Sequence, residues 1–569
     1  MHNTHRHVVL TVTLLASHSA FGQAVKGGPA ESAPPPPVTY HGLLPGVSTA
    51  ADVRATLGEP VFEAKWYAYK MLYAAKDRPG FFDAVYLHGK EGKFADAETA
   101  SIPEGLETDR AVRVKLGRPE YVLKLRAQTL LDYSAKGLRF WFDATGKTIG
   151  VAYFPQGHPR VHSGARHTVD LSAPPSVPSW PNTGGQLKVG TAKRAISPID
   201  KAWMRGREFE IHDDLYARCA LLVDGERSVA LVATDMFGGN KPDFDVIQDR
   251  LAAVGYPNLI VAMSHNHAAP DTIGVYGFYP AKYVAYIQDQ IEACVLEAAK
   301  NLEPVREIRS IVKELPMSGA RVQGLIRNAR NPGLLDPAVV LIELKGDGDR
   351  NLASLVNFAC HVEGLVDGAK EISADFPGYM CAQVEADTGG MCLFLNGAVG
   401  GMVTGDTRVR THDEAEVAGL AWAREVAALS KQATPARGRT FLLTRKRVEL
   451  PCTNQRFLTL FGLMKKRNPY RGRIVSELNL LRLGDTEIVT IPGELLPEIS
   501  VEIQEHMTGR ERVIVGLAND ELGYIIPGYD FRASNALTMT DWDYEETMSP
   551  GPATGPIIRH AAIELLAGR

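Results

Sequence analysis

Residues 258–271 read Asn-Leu-Ile-Val-Ala-Met-Ser-His-Asn-His-Ala-Ala-Pro-Asp. Leu259 to Met263 is a short apolar run and predicts a buried strand. The run stops in a polar turn bearing His265 and His267, with Pro270 just beyond. In an extended segment residues i and i+2 point the same way, so both imidazoles can meet one ligand at a strand's end. That is where α/β proteins place their chemistry. A pair of hydrogen-bonded surface histidines would look the same in isolation, so the weight falls on what surrounds them in the chain.

Four further segments repeat the pattern of an apolar strand followed by a ligand, an acid or a tight turn. Leu355-Val-Asn-Phe-Ala-Cys-His361 ends on a histidine, and Ile488-Val-Thr-Ile-Pro-Gly-Glu494 on a carboxylate. Val513 to Tyr524 leads through a polar turn to a tyrosine, and Leu393 to Met402 runs into glycines that permit close backbone approach to a ligand. The first three have a plain structural explanation: a strand-end histidine, an acid favourable at a helix N-terminus, a half-buried tyrosine. Together they supply His, His and Glu ligands with an open position, which is what a hydrolytic zinc site needs. Such a metal lowers the pKa of its bound water and polarises the scissile carbonyl.

The chain has 569 residues, 45% apolar and 22% charged, which predicts two or three globular domains. A net charge of −4 leaves no basic footprint for nucleic acid. Six cysteines occur without a Cys-x-x-Cys pair, against a structural zinc knuckle; one or two disulfides are compatible with the sequence, which does not pair them. Residues 1–24 read as an export signal: Arg6, the apolar run Val8 to Ala16, then small residues at Ala20, Gly22 and Ala24. That run is too short to span a bilayer, and no later segment has about 18 uninterrupted apolar residues. The expected product is a soluble, secreted or periplasmic protein.

Residues 25–38 form a Pro/Gly/Ser-rich linker, and residues 39–165 contain an internal repeat. Gly46 to Pro60 matches Gly105 to Pro119; in each copy a Ser or Thr caps a short helix, a Gly ends it and a Pro follows. Strand-like segments come next, clearest at Leu138–Phe142 and Ile149–Phe154 around a turn at Gly146-Lys147. This helix-then-hairpin unit resembles the small envelope modules of the SmpA/OmlA-like type. The resemblance implies docking to an envelope partner through residues 39–165, with a plain structural extension as the alternative. A Pro-rich linker spans 166–186, and a large domain runs from 187 to 569. Its strands and helices alternate, which predicts an α/β fold of layered mixed sheets with helices, preceded by the small α+β repeat domain.

In the large domain the loaded segments follow the order found in the neutral/alkaline (non-lysosomal) ceramidases. Met263-Ser-His-Asn-His-Ala-Ala-Pro270 resembles that family's Thr-His-Thr-His-Ser-Gly-Pro motif, and Ile372-Ser-Ala-Asp-Phe-Pro-Gly-Tyr379 its Ile-Ser-x-Asp-x-x-Gly-Tyr stretch. Ala230 to Asp235, Ile326-Arg-Asn328, Cys360-His-Val-Glu363, Pro492-Gly-Glu494, Asn519 to Tyr524 and Tyr544-Glu545 continue the order. The resemblance implies zinc held by His265, His361, Glu494 and Tyr524, with His267 as catalytic base or supporting group and Arg327 contacting substrate. Asp235 is expected to orient one of the histidines, as carboxylates beside metal ligands commonly do. One departure stands out: where the family has Asn-x-Gly-Asp-Val-Ser-Pro, this chain has Asn396-Gly-Ala-Val-Gly-Gly-Met402. Gly401 replaces the catalytic serine, and Val399 the neighbouring Asp.

The expected function is a secreted zinc-dependent hydrolase of an amide bond, N-acyl and ceramide-like, acting on a small-molecule or lipid-like substrate. Water on zinc would attack directly, with His267 accepting its proton. One alternative belongs to another class, a catalytically silent envelope binding protein; another is the same zinc scaffold turned to glycan bonds. Tyr276, Phe278 and Tyr279 would either wall a substrate cleft or belong to the core.

Overall fold

The computed structural model describes residues 38–568 except 66–68, 77, 89, 157–167, 174–184, 205–207, 319, 366–370, 408, 465–472 and 532–543. The expected export signal and nearly all of the first linker lie outside the described residues.

The repeat begins with its punctuation. Thr49 caps helix α1 (Ala50–Leu57), its side chain accepting from Asp52 N while the Asp52 carboxylate accepts from Thr49 N. Thr108 caps α2 (Asp109–Leu116) in the same way, accepting from Ala111 N. Gly58 and Gly117 end the two helices at φ 80 and 86, the left-handed region that favours glycine. Each helix is followed by four antiparallel strands, β1 (Phe62–Lys65), β2 (Tyr69–Ala74), β3 (Phe82–Leu87) and β4 (Phe94–Thr99) in the first copy. The second copy has β5 (Tyr121–Lys124), β6 (Gln128–Tyr133), β7 (Leu138–Asp143) and β8 (Thr148–Tyr153). The expected hairpin is thus the last half of a four-stranded meander. The copies join edge to edge through β4 and β8 into one sheet of order β1-β2-β3-β4-β8-β7-β6-β5-β9, where β9 is Thr168–Asp170.

Alternation along these strands makes two buried faces. One carries Met71, Val85, Leu131, Phe140 and Val151 against Val53 of α1 and Val112 of α2. The other carries Leu123, Leu130, Trp141 and Phe154 against Leu335, Phe358 and Trp422 of the large domain. The sheet therefore lies between its own helices and the rest of the protein, and residues 37–569 form one compact unit.

The large domain is α/β, with layered mixed sheets, and repeats one plan three times. An antiparallel pair of strands is followed by a helix that crosses to a strand parallel to the second of the pair, as a parallel neighbour requires. The first unit is Tyr216–Asp224, Arg227–Thr234, helix Lys241–Ala252 and Leu259–Met263. The second is Ala338–Lys345, Asn351–Phe358, helix Asp375–Thr388 and Met391–Asn396. The third is Arg473–Leu483, Thr486–Thr490, helix Pro497–His506 and Glu511–Val515. Leu222, Ile260, Val340, Leu355, Leu393, Leu481 and Val513 from all three sheets share one core.

Two buried amides stitch the strand ends together. Asn396 Nδ2 donates to Ser264 O (2.7 Å) and Cys360 O (2.9 Å). Asn519 donates to Leu259 O (3.0 Å) and accepts from Val261 N (2.7 Å). The loops leaving the parallel strands are thereby held side by side. All six cysteines are buried thiols. Among the described residues no helix is long and apolar enough to cross a membrane.

Candidate metal centre

His265 follows the edge strand of the first unit, His361 the second strand of the second unit, and Glu494 the second strand of the third. Three sheets thus contribute one group each. The loop after Met263 is fastened by Ser264 N to Thr234 O (2.9 Å), Asn266 N to Met236 O (3.1 Å) and His267 N to Val362 O (3.0 Å). His265 takes φ 65, so the segment is a tight turn and not the extended run expected from the spacing. Such a conformation costs a non-glycine residue of order 1 kcal/mol or more, and is found where the surroundings over-determine it. The two imidazoles still converge, edge to face, with ring centroids 4.7 Å apart.

His265 Nδ1 lies 2.9 Å from Phe237 O and His361 Nδ1 3.2 Å from Val403 O. A carbonyl accepts only, so each ring carries a proton on Nδ1 and in its neutral form presents a bare Nε2, the arrangement of a metal-ligating histidine. Glu494 Oε2 stands 3.0 Å from His361 Nε2 and 3.5 Å from His265 Nε2. His361 Nε2 and Glu494 Oε2 are nevertheless both buried without an aligned hydrogen bond. Lone pairs converging in this way, from nitrogen and oxygen donors, fit a zinc ion. Burial disfavours the charged forms, but the two histidines outweigh it and hold the Glu494 carboxyl well below its usual range. His361 is likewise disfavoured by burial yet pushed up to about 9 by Glu494 and Glu363, while burial lowers His265.

Tyr524 pairs with Glu494 in a two-residue parallel ladder. The approach needs Gly493, where a Cβ would sit 2.7 Å from Gly523 O. The Tyr524 ring stacks on His361 at 6.5 Å between centroids, and its hydroxyl donates to Met402 Sδ (3.0 Å). The third histidine has a different partner: His267 Nε2 lies 3.7 Å from Glu363 Oε1. Glu363 Oε2 in turn accepts from Thr404 Oγ1 (3.0 Å) and Arg410 (3.2 Å). The ligand atoms of His265, His267 and His361 all fall within 4.8 Å of one another.

Asp235 does not orient a histidine. Its carboxylate accepts from Tyr216 N and from Arg218, both at 2.8 Å, so the role expected of it falls to the carbonyl of Phe237 two residues on. The reason is strand geometry, because Arg218 on the neighbouring strand reaches Asp235 first. Arg327 lies one strand from His361 but faces the N-terminal sheet: its guanidinium sits 3.5 Å over the Tyr86 ring. Phe237 packs on His265 and His267 at about 5 Å, and the exposed Tyr276 tilts against Phe237 at 6.3 Å. Tyr279 instead donates to Asp243 (2.7 Å) and belongs to the framework. A second group, His212, Asp213 and His412, has its two imidazoles stacked 3.7 Å apart, and no ion lies in both ring planes of such a stack.

Glu363 carried no assigned role in the sequence reading. The signal was there, since His361-Val-Glu363 has the same i, i+2 spacing as His265-Asn-His267. Gly401 takes φ 81, and a Cβ there would come 3.1 Å from Asn328 Nδ2. The backbone is therefore shaped for glycine, and a serine at this position would be strained as well as crowded.

Comparison with solved structures shows a fold like that of neutral ceramidase. The neutral ceramidase of Pseudomonas aeruginosa matches over 68% of this chain and 75% of its own, at 17% identity and a TM-score of 0.55. A ceramidase complexed with C2 matches over 68% and 76% at the same identity, with a TM-score of 0.56. No protein-family description and no curated protein sequence matches the chain.

Proposed function

We propose that the protein is an exported zinc-dependent hydrolase cleaving an amide bond of an N-acyl, lipid-like substrate. The observation that carries the reading is the meeting of His265 Nε2, His361 Nε2 and Glu494 Oε2, buried and without aligned hydrogen bonds among themselves. The ceramidase-like fold around them supports a hydrolytic use. Those three groups would hold the ion, with Tyr524 beside them. When bound, zinc would supply an acidified water and a polarised carbonyl. His267 is the group left to take the proton from the attacking water at Nε2 and return it to the leaving amine, so that no hydroxyl is needed at position 401. Glu363 stands beside His267 and holds it toward that task. Phe237 and Tyr276 offer an apolar wall beside the histidines.

The test is metal analysis of the purified protein together with an amide, ester and glycoside hydrolysis screen. One equivalent of zinc and turnover of an N-acyl amide are expected. His361→Ala should release the metal. His267→Ala should keep it and lower kcat by about 10²–10⁴-fold, the usual contribution of a proton-transfer group. Protein that binds no zinc ends the reading. The second reading, a catalytically silent binding protein of the envelope, is favoured by the glycine-shaped backbone at Gly401 and predicts zinc without turnover of any bond class.

A further inference from the structure

The six cysteines differ in what their thiols meet. Cys294 Sγ donates to Ala192 O (3.3 Å) and Ala217 O (3.5 Å), Cys360 Sγ to His361 O (3.4 Å) and Cys452 Sγ to Asn454 O (3.8 Å). Cys219 neighbours Cys294 in the core of the first unit. Cys381 and Cys392 instead meet each other, thiol hydrogen-bonded to thiol, with neither side more than 1% exposed.

Backbone placement explains the meeting. Cys381 stands on the helix Asp375–Thr388 of the second unit, and Cys392 on the strand Met391–Asn396 into which that helix leads. Glu385 lies one turn after Cys381, on the same face of the helix, and its carboxylate accepts from Cys392 N (3.3 Å). A second contact thus holds that face against the start of the strand. Both sulfurs belong to one apolar core with Phe376, Met380 and Phe394. Sulfurs already in contact meet the first requirement of a disulfide, which tolerates little backbone movement.

The compartment meets the second, because an exported chain folds where disulfides form and persist. The two cysteines are eleven positions apart, and closing so short a loop costs the unfolded chain little entropy. In the folded chain the exchange is blocked: the Cys381 thiol, and then burial, push the Cys392 thiol well above its usual range, and only a thiolate attacks a disulfide. The bond is therefore made before the helix packs on the strand.

Resting on the export part of the proposed function, and not on hydrolysis, we propose that Cys381 and Cys392 are joined by a disulfide in the exported protein. The oxidant is the disulfide of a thiol–disulfide oxidoreductase. One protein thiolate attacks it to form a mixed disulfide, and the second displaces the oxidant's remaining sulfur. The protein loses two electrons and two protons, and the oxidant leaves as a dithiol. The link ties the helix to a strand that ends at Asn396, whose amide donates to Ser264 O and Cys360 O beside the candidate metal ligands. It therefore braces the layer beneath the candidate metal centre.

The test counts free thiols by alkylation in denaturant without reductant, and maps linked peptides by mass spectrometry, in the full chain recovered from the exported fraction of a bacterial host. Four of the six thiols are expected to react, with one linked peptide pair carrying Cys381 and Cys392. Cys381→Ala should raise the count to five, because it frees Cys392. A bond between Cys219 and Cys294 would instead lower that count to three and overturn the proposal. Six reactive thiols in the exported wild type overturn it as well. A chain that stays in the cytoplasm with residues 1–24 uncleaved overturns the export reading. Refolding the reduced, denatured full chain in a glutathione redox buffer then decides the pair: the Cys381–Cys392 peptide supports it and six free thiols overturn it. Zinc content and turnover bear on the hydrolase reading alone.

Discussion

In the second copy of the repeat, the face turned to the large domain carries Leu123, Leu130, Trp141 and Ala152. In the first copy the corresponding face carries Lys70, Tyr86, Asp96 and Glu98. The backbone plan is shared, but the second copy neutralises its buried arginine within its own sheet. Arg139 is paired with Asp132 on the adjacent strand and donates to Pro332 O (2.8 Å). The first copy sends its charges outward, with Lys70 Nζ 2.5 Å from Asp406 and both side chains 3% exposed. Asp406 also accepts from Gly324 N (2.9 Å) and stands 3.5 Å from Arg321. Burying charge is costly unless it is paired, so the first copy depends on the large domain in a way the second does not. One half of the sheet anchors by packing; the other complements charges next to the candidate metal centre.

The largest way to break this contrast is Trp141→Ala. Trp141 is fully buried and donates to Gly333 O (2.6 Å). The substitution should cost about 3–5 kcal/mol, seen as a lower denaturation midpoint, with zinc content per folded molecule unchanged. Next comes Lys70→Met, which removes the cation closest to the buried Asp406 carboxylate. A loss of up to about 3 kcal/mol is expected, partly recovered in Lys70→Met/Asp406→Leu, because removing both partners avoids the uncompensated charge. No recovery in the double variant would mean that the pair is not what couples the first copy to the large domain.

The smallest effect sharpens the contrast through pH. Burial, against the pull of Arg327, pushes Asp96 up to about 6 and Glu98 up to about 7. Arg321, Asp406, Lys70 and Tyr86 complete the charged and titratable groups around them. Unfolded carboxyls titrate near 4, so between about pH 4 and 7 the folded chain binds the extra protons. The stability these two groups contribute is whole below pH about 4 and is lost as the pH rises through 6 and 7. Tm should therefore fall from pH 5 to pH 8 by more in the wild type than in Asp96→Asn/Glu98→Gln. Parallel profiles would show that the two carboxyls are not held as described.

The signals that were local in sequence survive in the structure. Thr49, Gly58, Thr108 and Gly117 mark helix ends because capping needs only neighbouring backbone groups. His265, His361 and Glu494 were visible because each ends an apolar strand. Asp235 misled, since its ion pair with Arg218 depends on which strand lies alongside. Glu363 was passed over because its i, i+2 spacing from His361 does not tell that His267, almost a hundred residues earlier, lies opposite.

From sequence alone come the repeat, the alternation of strands and helices, the histidines and carboxylate at strand ends and the glycine-rich turn at 401, because periodicity, capping and turn chemistry act over a few residues. Tertiary structure alone decided that three sheets bring His265, His361 and Glu494 to the same point, that Phe237 and Val403 face the Nδ1 atoms of the two histidines, and that the two copies of the repeat serve different ends. Those outcomes depend on sheet order and on which faces pack together, and contacts between residues hundreds of positions apart leave no periodic trace along the chain.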